Sequence, residues 1–117
     1  MNATAPIRGD TQATIARARA AECAAGGHEE LAELAADLSV HIARLLPTAR
    51  ARVDEMWHGS REWYVLSTRL SSISAEAEQP LDTGTLAAHV QVRLRALDCE
   101  WLLTRYGADL HAEEPAR

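Results

Sequence analysis

LAELAADLSVHIARLLPTARARVDEMW, residues 31–57, decides the fold. Its apolar members Leu31, Leu34, Leu38, Ile42, Leu45, Ala49, Val53 and Met56 recur at steps of three, four, four, three, four, four and three. That spacing traces one face of an α-helix. Pro47 falls inside the series without resetting its phase. A proline there removes one backbone donor and crowds the carbonyl of Ala43, so a kink is expected. The spacing predicts one long, Pro-kinked amphipathic helix, with the rest of the chain packed against it.

Upstream, Met1 to Gly9 holds Pro6 and Gly9 and shows no period, so residues 1–10 read as a flexible arm. Asp10 or Thr11 is placed to cap a first helix running to about Ala25, ended by Gly26-Gly27. Its apolar stripe (Ile15, Ala18, Ala21, Ala25) is thin, so this helix has high propensity and little to bury. Glu29 and Glu30 then open the long helix, where the helix dipole favours acids. Beside the apolar stripe runs a polar one: Glu30, Glu33, Asp37, His41, Arg44, Thr48 and Arg52. Such a stripe is either a solvated face or a cleft edge at His41 and Arg44.

Downstream, Gly59 suits a helix C-terminus and Ser60 the cap of the next helix. Trp63, Leu66, Leu70, Ile73 and Ala77 follow at helical spacing, and Gln79-Pro80 stops the run. A final helix, about Thr85 to Tyr106, carries two apolar faces. One is Leu86, Val90, Leu94, Leu97 and Trp101; the other is Val92, Ala96, Cys99, Leu103 and Tyr106. A helix apolar on two sides is central or shared between subunits, so a helix-exchanging or helix-packed homodimer is expected. Gly107 is read as its end and residues 108–117 as a flexible tail, leaving 11–107 as a single helical domain. The fold class is all-α: a small helical bundle.

The totals narrow the function. The 117 residues suit one domain with one core. A formal net charge of −5 argues against nucleic-acid binding, which needs clustered cations. No run is long and apolar enough for a membrane span, and the N-terminus lacks the pattern of a signal peptide, so a cytoplasmic protein is expected. Cys23 and Cys99 are too sparse for a disulfide framework. All 12 basic residues are arginine; without lysine there is neither a Schiff-base nor a P-loop lysine. No metal-ligand spacing, glycine-rich phosphate loop or nucleophile elbow is present, so no catalytic residue, cofactor or metal is assigned.

One segment stands apart: Trp57-His58-Gly59-Ser60-Arg61-Glu62-Trp63-Tyr64. Three large rings, an imidazole and an arginine around one helix-to-helix turn have the composition of a recognition surface. The plainer reading makes Trp57 and Trp63 core plugs in a chain that has no phenylalanine. Arg69, Arg93 and Arg95 are candidates to face the same groove.

His41-Ile42-Ala43-Arg44-Leu45-Leu46-Pro47, then Trp63-Tyr64, then Ala88-His89-Val90 through Leu97-Asp98-Cys99 to Tyr106 resemble small helical actinobacterial proteins of natural-product biosynthesis. Within that group the chain is similar to the lysinoalanine-forming maturation proteins of cinnamycin- and duramycin-type lanthipeptides. The resemblance spans roughly Leu31 to Tyr106 and leaves out the first helix. It implies a peptide cyclase that preorganises a modified precursor peptide so that a substrate lysine amine adds to a dehydroalanine. A hydroxyaspartate of the substrate supplies the base. On this reading Trp57, Trp63 and Tyr64 pack against the peptide, Arg61 or Arg69 holds a carboxylate or carbonyl, and His41 or His58 is polar wall. The alternative is a noncatalytic helical adaptor or dimerisation protein of a biosynthetic cluster.

Overall fold

The computed structural model describes residues 6–23 and 27–113. Four helices follow in order: α1 (Pro6–Cys23), α2 (His28–Asp54), α3 (Arg61–Ala77) and α4 (Thr85–Glu113). No strand occurs among the described residues. The all-α class and the helical bundle are as the periodicity predicts. α2 and α4 share the most extensive contact, α1 lies against both, and α3 rests mainly on α2.

α2 runs unbroken through Pro47, whose side is exposed. Its stripe is the core: every member from Leu31 to Val53 is buried, and Met56 packs against the cluster partly covered. The helix ends at Asp54, three residues short of Trp57. The backbone N–H of Glu55 donates to the carbonyl of Arg52 at 3.3 Å and that of Met56 to the carbonyl of Val53 at 3.0 Å. This tightened last turn keeps Met56 in phase with the core after the helix has stopped. No described glycine has a positive φ, so Gly59 is not a left-handed C′ residue. Instead a Cβ on Gly59 would lie 3.0 Å from the indole of Trp57, so glycine lets that ring lie against the backbone. Ser60 caps α3 as expected, its Oγ accepting from the N–H of Trp63 at 3.0 Å.

α4 resolves its two faces. Val92, Ala96, Cys99, Leu103 and Tyr106 are buried, whereas Leu86, Val90, Leu94 and Leu97 are exposed. The helix also passes Gly107, which is buried, and continues to Glu113, so the expected stop at Gly107 is corrected. α1 likewise starts at Pro6, inside the stretch expected to be an arm, and reaches Cys23. The expected stop at Ala25 and Gly26, and the ends of the arm and tail (residues 1–5 and 114–117), lie outside the described residues.

α1 docks through more than its thin apolar stripe. Thr11, Thr14, Ile15 and Ala18 are buried together against α2 and α4. Thr11 Oγ1 lies 3.0 Å from His41 Nδ1 and Thr14 Oγ1 lies 3.1 Å from His41 Nε2. Each ring nitrogen thus has a hydroxyl that can donate or accept as the tautomer requires. The exposed pairs Arg17–Asp37 at 2.9 Å and Arg19–Glu100 at 2.5 Å flank the seam.

Arg95 is the second buried polar anchor, only 6% exposed. Its guanidinium donates to the carbonyls of Ala35 (3.4 Å) and Glu76 (3.2 Å), to Ser39 Oγ (3.2 Å) and to the carbonyl of Gln79. It therefore ties α4 to α2 and to the last turn of α3 and the residues that follow it. Burial pushes its pKa down, partly opposed by the nearby Glu76 carboxylate. Arg95 is accordingly not part of a groove.

Cys99 Sγ is buried and donates to the carbonyl of Leu38 at 3.5 Å. Burial, helped by the charge of Asp98, pushes its thiol up to about 12 from an ordinary 9.0. The folded state holds this proton more tightly, so the stability it lends is whole below pH 9.0 and is lost as pH rises towards about 12. Iodoacetamide at mildly alkaline pH is expected to leave Cys99 unmodified in native protein and to alkylate it in denaturant. Mass mapping of the Cys99 peptide checks this, and rapid native modification would contradict the burial.

Candidate functional site: an aromatic corner with an arginine-flanked recess

The six-residue corner between α2 and α3 places its rings differently. Trp57 is 78% exposed and Tyr64 is 64% exposed. Trp63 is half-buried, packs on the core and stacks on His58 with centroids 4.8 Å apart. His58 is in turn held by the carbonyl of Asp54, to which its Nε2 donates at 3.2 Å. Of the two expected core plugs, then, Trp63 is one and Trp57 is not. Arg61 is exposed, and no described residue pairs with it.

The far end of α4 closes the other side. Glu62 lies 3.8 Å from Arg105, bringing the start of α3 against α4. Arg69 sits 4.3 Å over the ring of Trp101 and 4.0 Å from Asp98. Burial raises the Asp98 carboxyl above its ordinary range; Arg69 opposes this and Glu76 adds to it. Arg69 therefore already serves a ring and a carboxylate of its own chain. Arg93 is exposed on α4.

Between the end of α2, the first half of α3 and the far end of α4 opens a recess of about 320 Å³. Val53, Met56, Leu66 and Tyr106 form its apolar lining, with Arg52 and Arg105 beside them. Arg52 bonds Glu55 at 2.7 Å. The Tyr106 hydroxyl and the Trp63 indole N–H are both buried without a hydrogen-bond partner among the described residues. Buried donors of that kind are few in native structures and call for an acceptor. Sequence reasoning chose Arg61 and Arg69 and missed Arg52, Arg105 and Tyr106. No spacing signalled them, because Arg52 lies on α2 and Arg105 and Tyr106 on α4.

His41 is elsewhere. About 20 Å of helix separates it from the end of α2. With Thr14, Arg17, Asp37 and Arg44 it lines a shallow recess of about 400 Å³ between α1 and α2, so His41 and Arg44 do border a cleft. Its ring nitrogens are engaged by threonines, which makes it an anchor for α1. The structure brings Trp57, Arg61, Trp63 and Tyr64 to one corner and leaves His41 outside it.

No group of three or more metal-binding side chains occurs among the described residues. No described helix is long and apolar enough to cross a membrane. Fold and site together define a small all-α helical-bundle protein with an exposed aromatic corner. The chain belongs to the Family of unknown function (DUF6415), which matches residues 9–111. No curated protein and no solved structure matches it.

Proposed function

We propose that this protein recognises a peptide at the α2–α3 corner and acts by shaping it. The observation that carries the reading is the exposure of Trp57 and Tyr64 at a corner whose residues Met56 and Leu66 line a recess. Large rings left in water give wide contact at low entropic cost, as recognition surfaces do. Exposed rings grip a peptide without reacting with it, so conformational control is the chemistry these residues suit.

The resemblance to lysinoalanine-forming proteins supplies the sharpest form of this reading. The amine nitrogen of a substrate lysine bonds to Cβ of a dehydroalanine, the alkene electrons pass to Cα, and Cα takes up a proton. The amine, with a free pKa of about 10.4, first gives its proton to the substrate's hydroxyaspartate. Orientation of two groups already on one peptide supplies roughly 7–11 kcal/mol, so a protein that only folds the peptide is sufficient. Incubation with the dehydrated, hydroxylated precursor is expected to make the lysine amine resistant to acylation. An amine still acylated in full ends the cyclase form. The adaptor form then predicts a 1:1 complex with a lanthionine synthetase, lost in Trp57→Ala.

The same reading includes a bend of α2 at Pro47 and a homodimer through α4. Val90, Leu94, Leu97 and Trp101 recur at steps of four, three and four, the spacing of a helix-pair seam, with Leu86 beside them 79% exposed. Leu94→Glu is expected to halve the mass seen by light scattering while leaving circular dichroism unchanged. A wild-type protein that is monomeric at high micromolar concentration removes the dimer from the account.

A further inference from the structure

The backbone does not explain the glycine at residue 59. Its φ is not positive, so any L-residue could adopt the chain conformation there. The N–H of Ser60 donates to the carbonyl of Trp57 at 3.0 Å, closing a turn in which Gly59 is the third residue. That position demands glycine only where its φ is positive. What the missing side chain does leave is room. A Cβ on Gly59 would lie 3.0 Å from Cζ2 of Trp57, 3.2 Å from Cε2 and 3.3 Å from Cη2. Cε2 and Cη2 are the two ring neighbours of Cζ2. Distances so nearly equal put that point above the flat of the ring, because an approach in the ring plane would leave both neighbours well behind Cζ2. The indole thus lies face-on over the glycine, and at 78% exposure the rest of the ring is open.

We infer that Gly59 is a positioning residue for peptide capture: by carrying no Cβ it lets the Trp57 indole lie flat on the turn as a stacking platform set before the guest arrives. A large side chain free in water samples several rotamers, and binding must then freeze it. A ring already seated on the backbone loses less, so more of its contact appears as affinity. The seat itself is tied to the bundle on both sides. Met56 packs against the core before it, and after it Ser60 Oγ accepts from the N–H of Trp63 at 3.0 Å. A methyl group at residue 59 would collide with the ring and not with the backbone, and an exposed ring can swing aside at little cost. Substitution there therefore moves the ring and spares the fold. The inference rests on the peptide-recognition reading and names the residue that sets how strongly that site binds.

The test is Gly59→Ala in the full chain. Its melting temperature is expected within about 2 °C of wild type, since alanine fits the backbone and narrows the unfolded ensemble. The Trp57 indole Nε1–H, identified by its loss in Trp57→Ala, is expected to show the heteronuclear Overhauser effect of an ordered group in wild type and a lower one in the variant. Affinity for the dehydrated, hydroxylated precursor is expected to fall about three- to tenfold, the cost of immobilising one large side chain. In a Trp57→Ala background the same substitution is expected to change nothing further. An indole as mobile in wild type as in Gly59→Ala overturns the inference. So does an unchanged precursor affinity, an equal loss in the Trp57→Ala background, or a variant that melts like one with a damaged core. If wild type takes up no precursor while its indole is ordered only with glycine at residue 59, the recognition reading falls and the seat stands.

Discussion

Arg95→Met is expected to lower the melting temperature by roughly 10 °C, an effect far beyond that of any surface arginine here. Methionine fills much of the arginine's volume and none of its bonding. The carbonyls of Ala35, Glu76 and Gln79 and the hydroxyl of Ser39 would then face a buried apolar atom. Hydrogen bonds to a charged group are worth about 1.5–3 kcal/mol, and losing several at once outweighs the backbone N–H donors that Glu76 keeps. A net loss of about 3 kcal/mol follows, reduced from the simple sum because the last turn of α3 can fray into water. Arg95→Lys keeps the charge but not the fork, and should fall between the two. Thermal unfolding followed by circular dichroism checks the order; a methionine variant as stable as wild type would mean that α3 does not depend on this clamp.

Leu38→Ala is expected to cost about 3–5 kcal/mol. Leu38 is fully buried in the core, and its carbonyl accepts from Cys99 of α4. Helices on two sides limit how far the site can collapse around the lost atoms, which puts the cost at the upper end of the range. The measurement is chemical denaturation. A shift under about 1 kcal/mol would show that the α2–α4 seam packs loosely.

The long helix was legible because its buried stripe is set by a single rule, burial of one face, and that rule survived Pro47. Its end was less so. Met56 stays in phase through a tightened turn, so hydrophobic period cannot mark where the helix itself stops at Asp54. In α4 both faces obey the same period, and only the packing of α1 and α2 on one of them decides which is inward. His41 and Arg95 were hard to place for one shared reason: polar side chains suggest water, yet both are buried with hydrogen-bond partners. Each carried a local sign. Thr11, Thr14, Ile15 and Ala18 share one helical face, and Arg95 lies three residues after Val92 and four before Cys99, on the buried stripe.

At the corner, the residue types were legible and their division of labour was not. Trp63 and Trp57 are the same residue six positions apart, yet one begins a capped helix whose face turns to the core, and the other follows a helix that has ended. Arg52, Arg105 and Tyr106 come together only because α4 runs on past the turn that Glu62 faces. No spacing within one helix encodes that meeting.

The central claim is that Trp57 and Tyr64 serve a guest and not the core. A paired measurement on the Trp57→Ala, Tyr64→Ala double variant tests it most directly: unfolding free energy together with crosslinking yield, or peptide affinity, on the same preparation. The account predicts stability within about 0.5 kcal/mol per site of wild type, as for ordinary surface changes, and at least a tenfold loss of peptide capture. A double variant destabilised like Leu38→Ala, with capture per folded molecule unchanged, would contradict it.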